Sequence, residues 1–89
     1  MTHTVIIKKS AFKNVRVLPR AVQLKFAALV KVLIDAGASG PHDWQNYSKL
    51  NANEYHCHLT YHYVACWRHE KNTIIIEVYY AGSREKAPY

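Results

Sequence analysis

YHCHLTYHYVACWRHEKNTIIIEVYY, residues 55–80, alternates polar and apolar positions and is rich in β-branched and aromatic side chains. That is the pattern of consecutive half-buried strands. Glu70-Lys71-Asn72 suits a three-residue hairpin loop, because asparagine tolerates the left-handed backbone such a loop needs. The loop would pair Cys66 with Ile76 and Val64 with Val78. A preceding turn, placed at Tyr61-His62 by symmetry, sets Cys57 opposite Cys66 and Leu59 opposite Val64. Both registers direct Cys57, Leu59, Val64, Cys66, Ile74, Ile76 and Val78 to one face. His56, His58, Tyr63, Ala65, Trp67, Ile75, Glu77 and Tyr79 fall on the other. A three-stranded meander with one apolar face is expected, and that face needs a cover.

The cover lies upstream. Within residues 19–36, Val22, Phe26, Leu29, Val30 and Leu33 form one stripe of helical period, with Lys25 and Lys31 off it. Gly37 is the expected left-handed stop. Ser10 is a candidate N-cap for a shorter helix over 11–18, with Phe12, Val15 and Val17 or Leu18 as its apolar points. Pro19 cannot lie inside that helix but suits the first turn of the next. Residues 4–7 read as a strand, and 38–53 as loop anchored by Trp44, Tyr47 and Leu50. The expected fold is α+β in the order βααβββ. An N-terminal strand and a helical hairpin pack on one face of a mainly antiparallel four-stranded sheet, in a single domain over 1–89.

The chain is 49% apolar, which excludes a disordered tail. Twelve Lys and Arg against six Asp and Glu give +6, which favours an anionic partner such as nucleic acid or an acidic protein. No membrane segment is expected, because Lys31 and Asp35 interrupt the apolar stretch 27–36. Two cysteines are too few for a disulfide scaffold, so a cytoplasmic protein with reduced, buried thiols is expected.

Four features carry candidate chemistry. His56 and His58, two apart on one strand, project side by side and can exchange protons near neutral pH. As metal ligands they would need a third group from His62, His69 or Glu77, and no ligand-spaced motif supplies one, so no metal is expected. Tyr63, Trp67 and Tyr79 on the open face could stack bases or merely shield the sheet. Arg84, after Gly82-Ser83 where the chain leaves the sheet, offers a bidentate phosphate ligand.

The chain resembles the RelE/ParE superfamily of bacterial toxins over nearly all its length. The resemblance rests on Leu-Pro between the helices, Trp44 with Asn46, Ser48 and Leu50, then YHCHL, VACW and EVYYAGSREKAPY. It implies a toxin–antitoxin component of the RelE-like branch, a ribosome-dependent mRNA endoribonuclease working without metal or other cofactor. Its partners would be the ribosome, mRNA and a cognate acidic antitoxin. The family's strand-borne basic pair falls on His56 and His58, its C-terminal arginine on Arg84 and its late tyrosine on Tyr89. Tyr63 stands where an arginine usually opens the next strand, leaving Arg68 or Lys86 to supply a second phosphate contact. Tyr63, Trp67, Arg68 and Lys86 are thus the expected RNA-binding residues. The alternatives are a gyrase-inhibiting, ParE-like toxin and a degenerate, inactive interaction module.

Overall fold

The computed structural model describes residues 2–89. Strand β1 (Thr4–Ile7) leads into helix α1 (Lys9–Arg16) and helix α2 (Arg20–Ala36). Strands β2 (Ser48–Lys49), β3 (Glu54–His58), β4 (Tyr63–His69) and β5 (Ile75–Ser83) follow, and a single 3-10 turn covers Arg84–Lys86. The five strands form one sheet in the order β1-β5-β4-β3-β2. β1 runs parallel to β5, and every other pairing is antiparallel. The expected meander is therefore β3-β4-β5, and the strand beyond the expected four is the two-residue β2, inside the segment read as loop.

α2 sends Val22, Phe26, Leu29 and Leu33 into the core, as its stripe requires. Pro19 stands just before this helix, and Gly37 ends it at φ 86°, a left-handed value that favours glycine. The His3 ring also lies only 3.0 Å from where a Cβ at Gly37 would sit. α1 starts earlier than expected, with Lys8 rather than Ser10 at its cap. Its inward residue is Ala11, with Val15 and Leu18 packed beside the core, while Phe12 and Val17 face solvent.

The meander departs from expectation in one strand. Cys57 pairs with Ala65 rather than Cys66, one position from the expected register. Cys66 pairs with Tyr80 and Trp67 with Val78, so Tyr79 is the extra residue of a β-bulge. The β4–β5 loop is also longer than expected, because Glu70 donates its N–H to Ile75 across residues 71–74. Asn72 does adopt the left-handed conformation, at φ 63°. In the outer part of the hairpin His69 pairs with Ile76, an odd, three-residue offset from the expected pairing.

An odd offset reverses which face a strand shows its neighbour. Both offsets act on β4, so β3 and β5 keep their faces and β4 turns over. Ala65 and Trp67 join Cys57, Leu59, Ile76, Val78 and Ala81 in the core under α2, and half-buried Tyr63 packs against them. Val64, Cys66 and Arg68 take the opposite face. Trp67 is completely buried, its Nε1–H donating to the Ala38 carbonyl at 3.0 Å. Tyr55 stacks on Trp67 with ring centroids 6.0 Å apart. Ile74, expected in the core, is half exposed ahead of β5.

Candidate active site

β3 alternates by its own geometry, so His56 and His58 share the face away from α2. β2 runs beside β3 with Ser48 opposite His56, and Ser48 Oγ lies 3.0 Å from His56 Nδ1. The loop before β2 reaches His58: the His58 N–H donates to the Gln45 carbonyl at 2.8 Å. Asn46, held in the left-handed region at φ 53°, places its amide Nδ2 3.4 Å from His58 Nε2. The two imidazole centroids are 6.2 Å apart.

The chain then returns. β5 runs on through Gly82 and Ser83 rather than releasing the chain there, and the Tyr80 phenol donates to the Ser83 carbonyl at 2.6 Å. Ser83 Oγ accepts the Glu85 N–H at 3.2 Å and so caps the 3-10 turn. This turn points the last residues back over the open face, and the Tyr89 ring settles 4.4 Å from His56 between centroids. His56, His58, Arg84 and Tyr89 thereby line one open cleft of about 600 Å³, with Asn46, Tyr47, Ser48 and Glu85.

Arg84 is exposed, and its backbone N–H donates to the His62 carbonyl at 2.9 Å. Its guanidinium lies 4.5 Å from the centre of the Tyr61 ring, a cation–π contact from the β3–β4 turn. Burial, and then the neighbouring His58, hold the His56 imidazole below its ordinary value, so it favours the neutral form. Burial raises the Tyr89 phenol, which favours its proton-bearing form. A neutral imidazole, a protonated phenol and an arginine at one cleft can accept a proton, donate one and bind phosphate oxygens.

The four residues expected to bind RNA stand elsewhere. Trp67 and Tyr63 went to the helix face with the turning of β4, so the aromatic platform expected on the open face does not form. Arg68 lies on the open face but is held by Glu54 at 3.7 Å and Glu77 at 3.8 Å, and it covers the Tyr79 ring at 4.5 Å. The Tyr79 phenol donates to Glu54 at 3.1 Å, closing that network. Lys86 lines a separate hollow with Tyr63, Tyr80, Asn14 of α1 and Val17 and Leu18 just after it. Arg84 is therefore the one arginine or lysine of the cleft lining. Both thiols are buried and unpaired, and burial pushes each up to about 12. Among the described residues no three His, Cys, Asp or Glu side chains converge as metal ligands. No helix among them is long and apolar enough to cross a membrane.

Sequence reading gave no part in the site to Asn46, Ser48 or Tyr61, each of which holds a site residue. Ser48 and Asn46 are ordinary loop residues until β2 aligns with β3. Tyr61 meets Arg84 only through the closed sheet.

The fold is shared with solved structures. Archaeal RelE in its complex with RelB from Pyrococcus horikoshii superposes with a TM-score of 0.76 at 19% identity, covering 98% of this chain and 100% of that one. The chain has the RelE toxin fold. An E. coli RelE mutant in the free state gives 0.74 at 14% identity, covering 98% of this chain and 88% of that one. YoeB in its complex with YefM from Staphylococcus aureus gives 0.70 at 13% identity, with 94% and 99% covered. No protein-family model matches the chain, and no curated protein matches it by sequence. Within this RelE-type frame, the open sheet face and the returning tail build the cleft.

Proposed function

We propose that this chain is the toxin of a toxin–antitoxin module and acts as a ribosome-dependent, metal-independent mRNA endoribonuclease. The observation that carries this reading is the convergence of His56, His58, Arg84 and Tyr89 on one cleft. In the proposed reaction a ribose 2′-OH attacks the adjacent phosphorus, giving a 2′,3′-cyclic phosphate and releasing the 5′-oxygen of the next nucleotide. His56, favoured neutral, takes the 2′-OH proton. With Nδ1–H donating to Ser48 Oγ, its Nε2 lone pair is the base. Tyr89 or His58 returns a proton to the departing 5′-oxygen. Arg84 stabilises the charge that builds on the phosphorane oxygens.

A charge of +6 suits both a ribonucleoprotein target and inhibition by an acidic, partly disordered antitoxin that folds onto the toxin. The RelE–RelB and YoeB–YefM complexes support a protein partner for this fold. A ribosomal target implies a cytoplasmic protein.

Induction in bacterial cells, with growth followed and transcripts mapped by primer extension, tests the proposal. Growth arrest with cuts confined to translated regions, and lost when a start codon is removed, is the expected result. Arrest without cuts but with altered plasmid supercoiling would replace it by the gyrase-inhibiting reading. No arrest and no cuts would leave an inert interaction module.

A further inference from the structure

The peptide unit between Ser83 and Arg84 is held at both ends. Its carbonyl oxygen, on Ser83, accepts the Tyr80 phenol at 2.6 Å. Its N–H, on Arg84, donates to the His62 carbonyl in the β3–β4 turn at 2.9 Å. In a planar trans peptide the oxygen and the hydrogen point opposite ways. Two bonds from opposite sides therefore fix the plane, and with it the direction in which the Arg84 side chain leaves the backbone.

Two features of β5 bring the phenol to this carbonyl. The outer register of the β4–β5 pair, in which Trp67 faces Val78, would set Tyr80 opposite Ala65 on the core face. The extra residue at Tyr79 sets it opposite Cys66 instead, on the face to which the tail returns. Gly82 is the second feature. A Cβ there would lie 3.0 Å from the Tyr80 hydroxyl oxygen and 3.3 Å from the ring carbon that bears it. The phenol can cross residue 82 and reach Ser83 because that residue has no side chain. Burial, and then Cys66, raise the Tyr80 phenol, so it keeps its proton and remains a donor.

We propose that Tyr80 is a positioning residue for Arg84: it clamps the Ser83–Arg84 peptide so that the guanidinium stands at the cleft before a phosphate arrives. The proposal rests on the nuclease reading for its effect on rate, though not for the clamp itself. Tyr80 is not among the residues that line the cleft, so it acts through Arg84. Its contribution is preorganisation. A donor already aimed at the developing oxyanion stabilises the transition state with no rearrangement during the reaction. The Tyr61 ring steers the end of the Arg84 side chain, and the clamp fixes its root.

Tyr80→Phe keeps the ring and removes only the hydroxyl. Single-turnover cleavage on programmed ribosomes should slow about tenfold at saturating toxin, while the half-saturating concentration moves by less than about twofold. The same substitution made in Arg84→Ala should change the rate by less than about twofold, because the group it positions is gone. Amide hydrogen exchange followed by NMR reads the clamp without any substrate. The residue-84 amide should exchange about fivefold or more faster in Tyr80→Phe, the factor one hydrogen bond supplies, while the amides of β4 keep their rates. Unchanged exchange at residue 84, or an equal slowing of cleavage in the Arg84→Ala background, would overturn the proposal. Faster exchange at residue 84 in a protein that cuts no RNA keeps the clamp and rejects the nuclease. Cleavage by Tyr80→Phe at the rate of an active parent rejects the positioning role and keeps the nuclease.

Discussion

Replacing Arg84 by alanine removes a guanidinium with little to hold in the free protein. Its side-chain contact is the Tyr61 ring at 4.5 Å, and Tyr61 is itself 59% exposed. An exposed cation–π pair contributes about 0.5–1 kcal/mol. The backbone N–H of residue 84 still reaches the His62 carbonyl, and Ser83 still caps the turn. The melting temperature should therefore fall by less than about 8 °C for a domain of this length. The catalytic loss is of another order. Arg84 is the only arginine or lysine lining the cleft, and losing one preorganised donor to a developing oxyanion costs about 3 kcal/mol, or about 100-fold or more in rate. Arg84→Lys should recover part of this, since an ammonium supplies charge without the bidentate fork. The assay is single-turnover cleavage of a short mRNA on programmed ribosomes, run beside thermal melts of all three proteins. Cleavage by Arg84→Ala within about threefold of the parent would refute the phosphate role. A collapse of the melt would make the residue structural instead.

Tyr61→Ala should slow cleavage by freeing the Arg84 guanidinium, while Tyr61→Phe keeps the ring and should stay near the parent rate. Equal losses in both would point to the hydroxyl and away from stacking. His56 titrates below its ordinary value, so cleavage should rise with pH through a midpoint below about 6.5 and then level off. The same depression means that the unfolded chain binds this proton more readily. Stability should thus fall as pH drops below about 6.5, and His56→Gln should flatten that slope in pH-dependent melts. Trp67→Phe should destabilise by about 1–3 kcal/mol in urea unfolding by orphaning the Ala38 carbonyl, and Trp67→Ala by about 3–5 kcal/mol. An unchanged midpoint in Trp67→Ala would contradict its burial.

Much of the architecture could be read locally. The α2 stripe, its stop at Gly37, and the shared face of His56 and His58 each follow from periodicities internal to one element. β4 could not be read that way, because its facing depends on two turns at once. The longer β4–β5 loop is built by Thr73, whose hydroxyl donates to the Glu70 carbonyl at 2.8 Å and accepts the Ile75 N–H at 3.0 Å. A threonine beside Asn72 carries no sequence signal that distinguishes this loop from one ending at Asn72. The bulge at Tyr79 is equally silent, since YY reads as strand in any register.

The turned strand changes the electrostatics of the open face as well as its aromatic content. With Trp67 and Tyr63 withdrawn, the part of the sheet farther from the cleft displays Arg68 between two carboxylates, Glu54 and Glu77, and over the Tyr79 ring. One cation against two anions leaves that end net negative, although the whole chain is +6. A phosphate chain gains nothing by spreading across it. Favourable charge for RNA is left at the other end, where Arg84 borders the histidine pair, and beyond His58, where Lys25 stands on α2. The direction a bound strand should take is therefore from Arg84 past His56 and His58 toward Lys25, and not along the sheet toward Arg68. Charge reversal separates the two paths. Lys25→Glu should weaken binding of a single-stranded RNA and steepen its loss with salt, whereas Arg68→Glu should act through stability, by placing three carboxylates together. Equal weakening of RNA binding by both, at matched thermal stability, would return the middle of the sheet to the binding surface.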